Sequence, residues 1–399
     1  MKHQTELLAP AGSMEALKAA LRFGADAVYL GGPLLQLRAK SAGFTFDDIA
    51  EAASLVHAKG KRLYVTVNAL AENDEIAALP EYGSRLLDCG ADAAIVSDLG
   101  VLTTLHKTCP KLELHVSTQA SCMNYASACA WYALGAKRVV LAREMTLESI
   151  RSLRENVPDD LELEAFVHGA MCMAYSGRCL LSSAILGRSG NRGDCAQPCR
   201  WKYALVEETR PNQSFPIVEE GNASYILSSR DLNCAPLVGD LVDAGVTSLK
   251  IEGRMKTEYY VAVVTNAYRR LLDGSMTINE AQTELDSVSH RPYTTGFYLG
   301  ELPKDHSNAG TYSQTHRFVG TVLSCENGVA KIELRNRFER GDALEVISPK
   351  LNHAVLTADG IRDGTGAAIG IANRVKDVLF IPTDLPLEPG DLLRKRIKP

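Results

Sequence analysis

The chain has 399 residues, 46% hydrophobic and 23% charged, with a net charge of −5 and ten cysteines. That length exceeds one small module and suits a large α/β domain with a smaller companion. The composition is that of a soluble protein with no apolar run near the ~18 residues of a membrane span, and the charge excludes bulk attraction to nucleic acid, so RNA contacts would need local basic patches.

The opening, MKHQTELLAPAGS, has a charged start but no apolar stretch before a small-residue cleavage site. No signal peptide is expected, and the cytoplasm is the expected compartment. Apolar runs then recur in chain order: ELLAP, DAVYLGG, RLYVTVNA, DAAIVSD, LELHVSTQ, RVVLARE, LEAFVHG and, after an interruption, SLKIEGR. Segments of helical period such as SMEALKAALRFG and TLESIRSLREN alternate with them. That alternation predicts a parallel sheet covered by helices. Eight units before residue 275 predict an α/β fold, a (β/α)8 TIM-like barrel over 1–275. An open doubly wound sheet is the runner-up, but no G-x-G-x-x-G follows a strand. A cysteine-bearing insertion is placed at 169–235, with YILSS assigned to a hairpin with KYALVEE.

After NAYRRLLDG the pattern changes. The stretch 276–310, with RPYTTGFYLGELPKDHSNAG, is rich in turn formers and reads as a linker. Residues 311–399 carry short alternating strands broken by Gly, Asn and Asp, which predicts a small all-β barrel or sandwich.

In such a barrel the functional groups sit at the C-terminal strand ends. Polar residues closing the apolar runs are therefore candidates: Asn68, Gln119, Arg143 with Glu144, His168, and Glu252 with Arg254, joined by Arg38 from the loop after AVYLGG. Any one alone reads as a cap; together they would line one charged pocket. Cys172, Cys179, Cys195, Cys199 and Cys234 crowd the insertion. Converging thiolates bind soft metals, and zinc and an iron–sulfur cluster are the options. Only Cys195 and Cys199 have the tight spacing of structural zinc pairs, whereas cluster ligands are spread through loops and the neighbouring arginines would stabilise cluster charge. Buried reduced thiols are the plain alternative. A Cys172 nucleophile with His168 lacks any sequence signal for an orienting third group. Arg178, Arg188, Arg192, Arg200 and Lys202 face only Asp194 in their stretch, and the tail RKRIKP is wholly basic. Both are expected to contact phosphates.

The stretch EAFVHGAMCMAYSGRCLLS, 164–182, resembles the signature of the collagenase-like peptidase family thirty-two, a family of unknown catalytic type, at Glu164, Phe166, Gly169, Cys172, Gly177, Cys179 and Ser182. The opening ELLAPAGSMEALKAALRFGADAVYLGG, together with HVSTQASCMN, RVVLARE, CAQPCRWKYAL and SLKIEGRMKTEYYV, is similar to that family too. Length and the segment RNRFERGDALEV resemble its tRNA-hydroxylating branch. The resemblance implies formation of 5-hydroxyuridine at the tRNA wobble position, with prephenate required; a sister branch hydroxylates ribosomal RNA. Another pair of relatives hydroxylates ubiquinone with a [4Fe–4S] cluster on four cysteines. By that likeness Cys172, Cys179, Cys195 and Cys234 are the implied ligands, Cys199 is a fifth thiol, and DLNCAP departs by one residue from the relatives' placement. Adding oxygen to a pyrimidine is redox chemistry, which side chains alone do not perform. The barrel mouth would have to accept a base unstacked from the anticodon loop. Prephenate, a dianion, would need guanidinium partners, for which Arg38, Arg143 and Arg254 are candidates. The alternatives are a peptidase of undefined mechanism and a non-catalytic RNA-binding factor; the oligomeric state is left open.

Overall fold

The eight expected runs form the strands of a closed barrel. They are β1 (Glu6–Pro10), β2 (Ala27–Gly31), β3 (Arg62–Val67), β4 (Ala93–Val96), β5 (Glu113–Val116), β6 (Arg138–Val140), β7 (Glu162–Ala170) and, after the insertion, β11 (Ser248–Ile251). All pair in parallel, and β11 bonds to both β7 and β1, which closes the ring. The computed structural model describes residues 5–37, 43–172, 174–201, 204–206, 214–216, 230–300, 312–351 and 353–397. Arg38, Lys202, YILSS and the side chain of Arg200 lie outside them.

Helices follow the strands: α1 (Met14–Arg22), α2 (Phe46–His57), α3 (Asn73–Asp88), α4 (Leu99–Thr108), α5 (Tyr125–Ala133), α6 (Leu147–Glu155), the short α7 (Leu181–Leu186) in the insertion, α8 (Val238–Asp243) and α9 (Glu258–Leu272). Their ends are set locally. Thr45 and Asp48 exchange side-chain and backbone hydrogen bonds to start α2. In α6 Thr146 caps the first turn, and Leu147, Ile150 and Leu153 bury one face.

Within the insertion, β8 (Ala204–Val206) pairs with the nearer run β9 (Ser214–Pro216). Strand β10 (Asp231–Asn233) lies antiparallel to the end of β7, with Asn233 opposite His168, and β12 (Tyr293–Thr294) runs parallel to β10. The stretch expected as a linker is therefore structured in part. It holds β12 and helix α10 (Ile278–Leu285), started by a Thr277–Glu280 capping box; the turn-rich composition hid a short helix whose start signal is local.

The C-terminal strands are β13 (His316–Glu326), β14 (Val329–Leu334), β15 (Phe338–Glu339), β16 (Ala343–Ile347), β17 (Val355–Thr357), β18 (Ile371–Ala372), β19 (Val378–Pro382) and β20 (Leu392–Arg396). Six form a curled antiparallel sheet in the order β17-β16-β20-β13-β14-β19, over a core that includes Val319, Ile332, Leu344 and Leu393. The β13–β14 turn is Asn327-Gly328, both left-handed (φ 50° and 75°), as a tight hairpin requires.

By compactness the chain divides into residues 1–14, 26–255 and 291–312, and residues 15–25, 256–290 and 313–399. Helices α1, α9 and α10 thus group with the C-terminal strands. Inside this second unit Tyr259 stacks on Phe318 at 5.3 Å and Glu258 pairs with Arg335 at 3.1 Å. Two cations of the basic tail are paired here. Arg394 is buried between Glu284 and Glu345, each at 2.8 Å, and Lys395 pairs with Asp342. Arg394 and Lys395 are structural cations rather than a free phosphate-binding patch. Among the described residues no helix is long and apolar enough to cross a membrane.

Candidate functional site

Parallel strands put their C-terminal ends at one end of the barrel, and there the lining turns polar. Arg254, past the end of β11, is 8% exposed. Its Nη1 donates to Thr66 Oγ1 on β3 (3.0 Å) and to Gln36 Oε1 after β2 (3.1 Å). Two glycines make the space. A Cβ on Gly31 would stand 2.2 Å from Nη1, and one on Gly12 would stand 1.8 Å from the Arg254 carbonyl oxygen. Arg254 is thus a buried, hydrogen-bonded guanidinium at the strand ends.

Asn68 follows β3. Its Nδ2 donates to Ser117 Oγ (3.3 Å), while its Oδ1 is buried with no hydrogen-bond partner among the described residues. His168, on β7, is buried with its ring 5.4 Å from that of Tyr293. The His168 carbonyl accepts the Glu252 N–H (2.9 Å), and the Tyr29 hydroxyl stands 3.0 Å from the Ile251 carbonyl oxygen and 3.4 Å from the Glu252 carboxylate. Gly169 permits this crossing: its φ is +111°, and a Cβ there would stand 2.5 Å from the Glu252 carbonyl oxygen. Arg143 lies 3.9 Å over the Phe166 ring and donates to the Ala170 carbonyl at 2.8 Å, so it braces the end of β7. Gln119 sits in the turn Thr118–Ala120.

The insertion is tied across these strand ends. Glu144 accepts the Ser176 N–H (2.9 Å), and the Ser121 hydroxyl donates to the Ser176 carbonyl. Gly177, with φ +75°, lies so close to Gln119 that a Cβ would be 2.0 Å from its carbonyl oxygen. Arg192 reaches Glu75 (3.0 Å) and Glu72 (3.3 Å) around the start of α3. This corrects the expectation that the insertion's cations face only Asp194: Arg188 does pair with it at 3.0 Å, but Arg192 finds acids distant in sequence. Arg178, Tyr175, Leu180 and Trp201 are exposed.

Cys172 and Cys195 are exposed, Cys179 and Cys199 half-buried, and Cys234 is buried. Burial pushes the Cys234 thiol well up, and its N–H donates to the Val167 carbonyl (2.8 Å). Among the described residues no group of three or more His, Cys, Asp or Glu side chains is placed to hold a metal ion. Asp231 pairs with Ala170, so Cys172 continues past the end of β7 while Cys234 runs back along it to Val167. Ser182, buried, does anchor the cysteine loop, accepting the Ala196 N–H at 3.0 Å, and Cys195 Sγ accepts the Gln197 N–H at 3.3 Å.

Toward the other end of the strands lies a buried ionic layer. Arg138 Nη1 contacts Glu6 (2.6 Å) and Glu164 (2.9 Å), Lys250 Nζ contacts Glu164 (2.8 Å), and the Tyr64 hydroxyl donates to Glu6 (2.6 Å). Arg138 Nη2 also takes Glu162 at 2.7 Å, so three acids face the two cations, and Ser248 bridges Glu6 and Glu164. Burial raises the Glu164 carboxyl, but Lys250 and Arg138 more than offset it and hold it at about 2. Lys250 also lies 4.5 Å over the Tyr29 ring, which links this layer to the residues beneath the polar end.

Gln36, Thr66, Ser117 and Tyr29 are the site residues that sequence reasoning missed. Thr66 and Tyr29 lie inside apolar runs, and a polar atom interrupting such a run was the available signal.

The model of Peptidase family U32 matches residues 12–308, and that of the Peptidase family U32 C-terminal domain matches 314–394. The chain is 36% identical to "tRNA hydroxylation protein P1" of Bacillus subtilis, over 98% of this chain and 94% of that protein. It is 39% identical to "23S rRNA 5-hydroxycytidine C2501 synthase" of Escherichia coli over 68% of this chain and 40% of that one. It is also 31% identical to "Collagenase" of Porphyromonas gingivalis over 90% of each. With both matches spanning its barrel and its C-terminal strands, the chain belongs to Peptidase family U32.

Proposed function

We propose that this protein is an RNA-modifying enzyme that forms 5-hydroxyuridine at the wobble position of tRNA, with prephenate as the required small molecule. The observation that carries the reading is the likeness to a tRNA hydroxylation protein over nearly the full length of both chains. The site supports it. Tyr175, 58% exposed with Arg178 close by in sequence, and Trp201, 46% exposed, offer stacking surfaces and charge to an unpaired loop. Asn68 Oδ1, a buried acceptor without a partner among the described residues, is the group we assign to the N3–H of an extruded uracil. Arg254, held by Gln36 and Thr66, and Arg143, braced over Phe166, are the guanidinium groups we assign to prephenate carboxylates. Gln119, His168 and Glu252 complete the assigned site from β5, β7 and β11. The peptidase alternative lacks such support: His168 is buried under Tyr293 while Cys172 is exposed.

Expression in a bacterium lacking its own tRNA hydroxylation protein tests the reading. Restored 5-hydroxyuridine supports it; unmodified tRNA alongside cleavage of gelatin by the purified protein overturns it. The iron–sulfur cluster on Cys172, Cys179, Cys195 and Cys234 is a separate proposal. Iron and acid-labile sulfide in anaerobically purified protein decide it. About four of each per chain, lost in Cys172→Ala, are expected for the cluster; one zinc per chain supports the tetrahedral alternative, and active protein without iron overturns the cluster.

A further inference from the structure

The second compact unit contains a cavity of about 320 Å³ that the assigned site does not use. Four cations line it: Arg22 at the end of α1, Arg269 and Arg270 in the last turn of α9, and Lys350 after β16. Asp273 is the one carboxylate in the lining, and Asn266 adds an amide. Arg269 and Arg270 complement the carbonyls ending α9, as basic residues in a last turn do. That role does not call for Arg22 and Lys350 to converge from two other elements.

The cations are held but not saturated. Arg22 Nη2 contacts Asp391 (2.5 Å) and Glu388 (3.4 Å), while its Nε is buried with no hydrogen-bond partner among the described residues. Lys350 reaches Glu388 at 2.6 Å but remains 70% exposed. Arg269 pairs with Asp273 at 2.7 Å, and the Arg270 side chain reaches the Ser275 carbonyl at 3.4 Å. The lining itself sets these four cations against the single carboxylate of Asp273, with Glu388 and Asp391 behind the wall and Glu280 within electrostatic reach of Arg270.

From this geometry we infer that the recess binds one backbone phosphodiester of the RNA substrate. The inference rests on the proposed RNA-modifying function. A phosphodiester carries one negative charge and two free oxygens, which suits a recess whose lining is mostly cationic and whose donors come from three elements. It positions the substrate without reading its sequence.

Full-length protein is titrated with tRNA by fluorescence anisotropy at several salt concentrations, as wild type and as Arg270→Ala, Lys350→Ala and the double variant. Both side chains lie at the rim, so unchanged melting temperatures are the folding control. The double variant is expected to bind about tenfold more weakly near physiological salt. Its plot of log affinity against log salt should be shallower by about 0.9, one phosphate contact. Arg270→Lys with Lys350→Arg should restore most of both. Wild-type affinity and slope in the double variant overturn the inference while leaving the proposed function standing; a wild type that binds no tRNA overturns both. Inorganic phosphate is the remaining arm. Phosphate binding that the double variant loses, with tRNA affinity unchanged, assigns the recess to a free anion and overturns the RNA assignment.

Discussion

Replacing Glu164 by Gln is expected to lower the unfolding free energy by about 3–5 kcal/mol, because it leaves two buried cations short of a partner. Glu164 is fully buried and takes Lys250 and Arg138 at 2.8 and 2.9 Å. The effect has a pH signature. The folded carboxyl sits at about 2, below the ~4.3 of an unfolded glutamate. A depressed pKa contributes stability that is fully present above the unfolded value and lost as pH falls through the folded one. The gap between wild type and variant should therefore be constant from neutral pH down to about 5 and shrink as pH falls toward about 2. Urea unfolding at several pH values measures it. A gap below about 1 kcal/mol at neutral pH, or one that does not change on acidification, would show that the layer is not held together by these pairs.

Arg254→Ala is expected to reduce tRNA hydroxylation by about 100-fold or more, the usual effect of removing a charged donor at a reacting centre. Because Arg254 is buried and satisfies Gln36 and Thr66, the variant should also lose about 1–3 kcal/mol of stability. A second substitution separates the two effects. In Gly31→Ala the new methyl would stand 1.9 Å from Gln36 Oε1 and 2.2 Å from Arg254 Nη1, displacing the flexible guanidinium together with the Gln36 amide that holds it, while every polar group is kept. It should fold and still hydroxylate poorly. Folded protein with wild-type 5-hydroxyuridine in both variants would move the site away from Arg254.

The barrel was legible because its strands are short apolar runs and its helices carry local start signals, both read from neighbours along the chain. The signature residues were legible as a pattern, and the structure supplies their physical reasons: Gly169 and Gly177 permit left-handed backbone against Glu252 and Gln119, Ser182 anchors the cysteine loop, and Phe166 carries Arg143. What escaped depends on partners far away in sequence. Arg192 looked unpaired until α3 brought Glu75 to it, and Arg394 looked like part of a free tail until Glu284 and Glu345 enclosed it. Charge counted in a local stretch cannot see such pairs. Cysteine spacing has the same limit, since antiparallel pairing of β10 with β7 sends Cys172 and Cys234 in opposite directions.

The most direct test of the account is mass spectrometry of nucleosides from tRNA of a strain deleted for this protein, with the wobble position mapped. The account predicts loss of 5-hydroxyuridine at that position, restored by the wild-type chain and not by Arg254→Ala. Unchanged 5-hydroxyuridine in the deleted strain, with no second hydroxylating protein present, would contradict it.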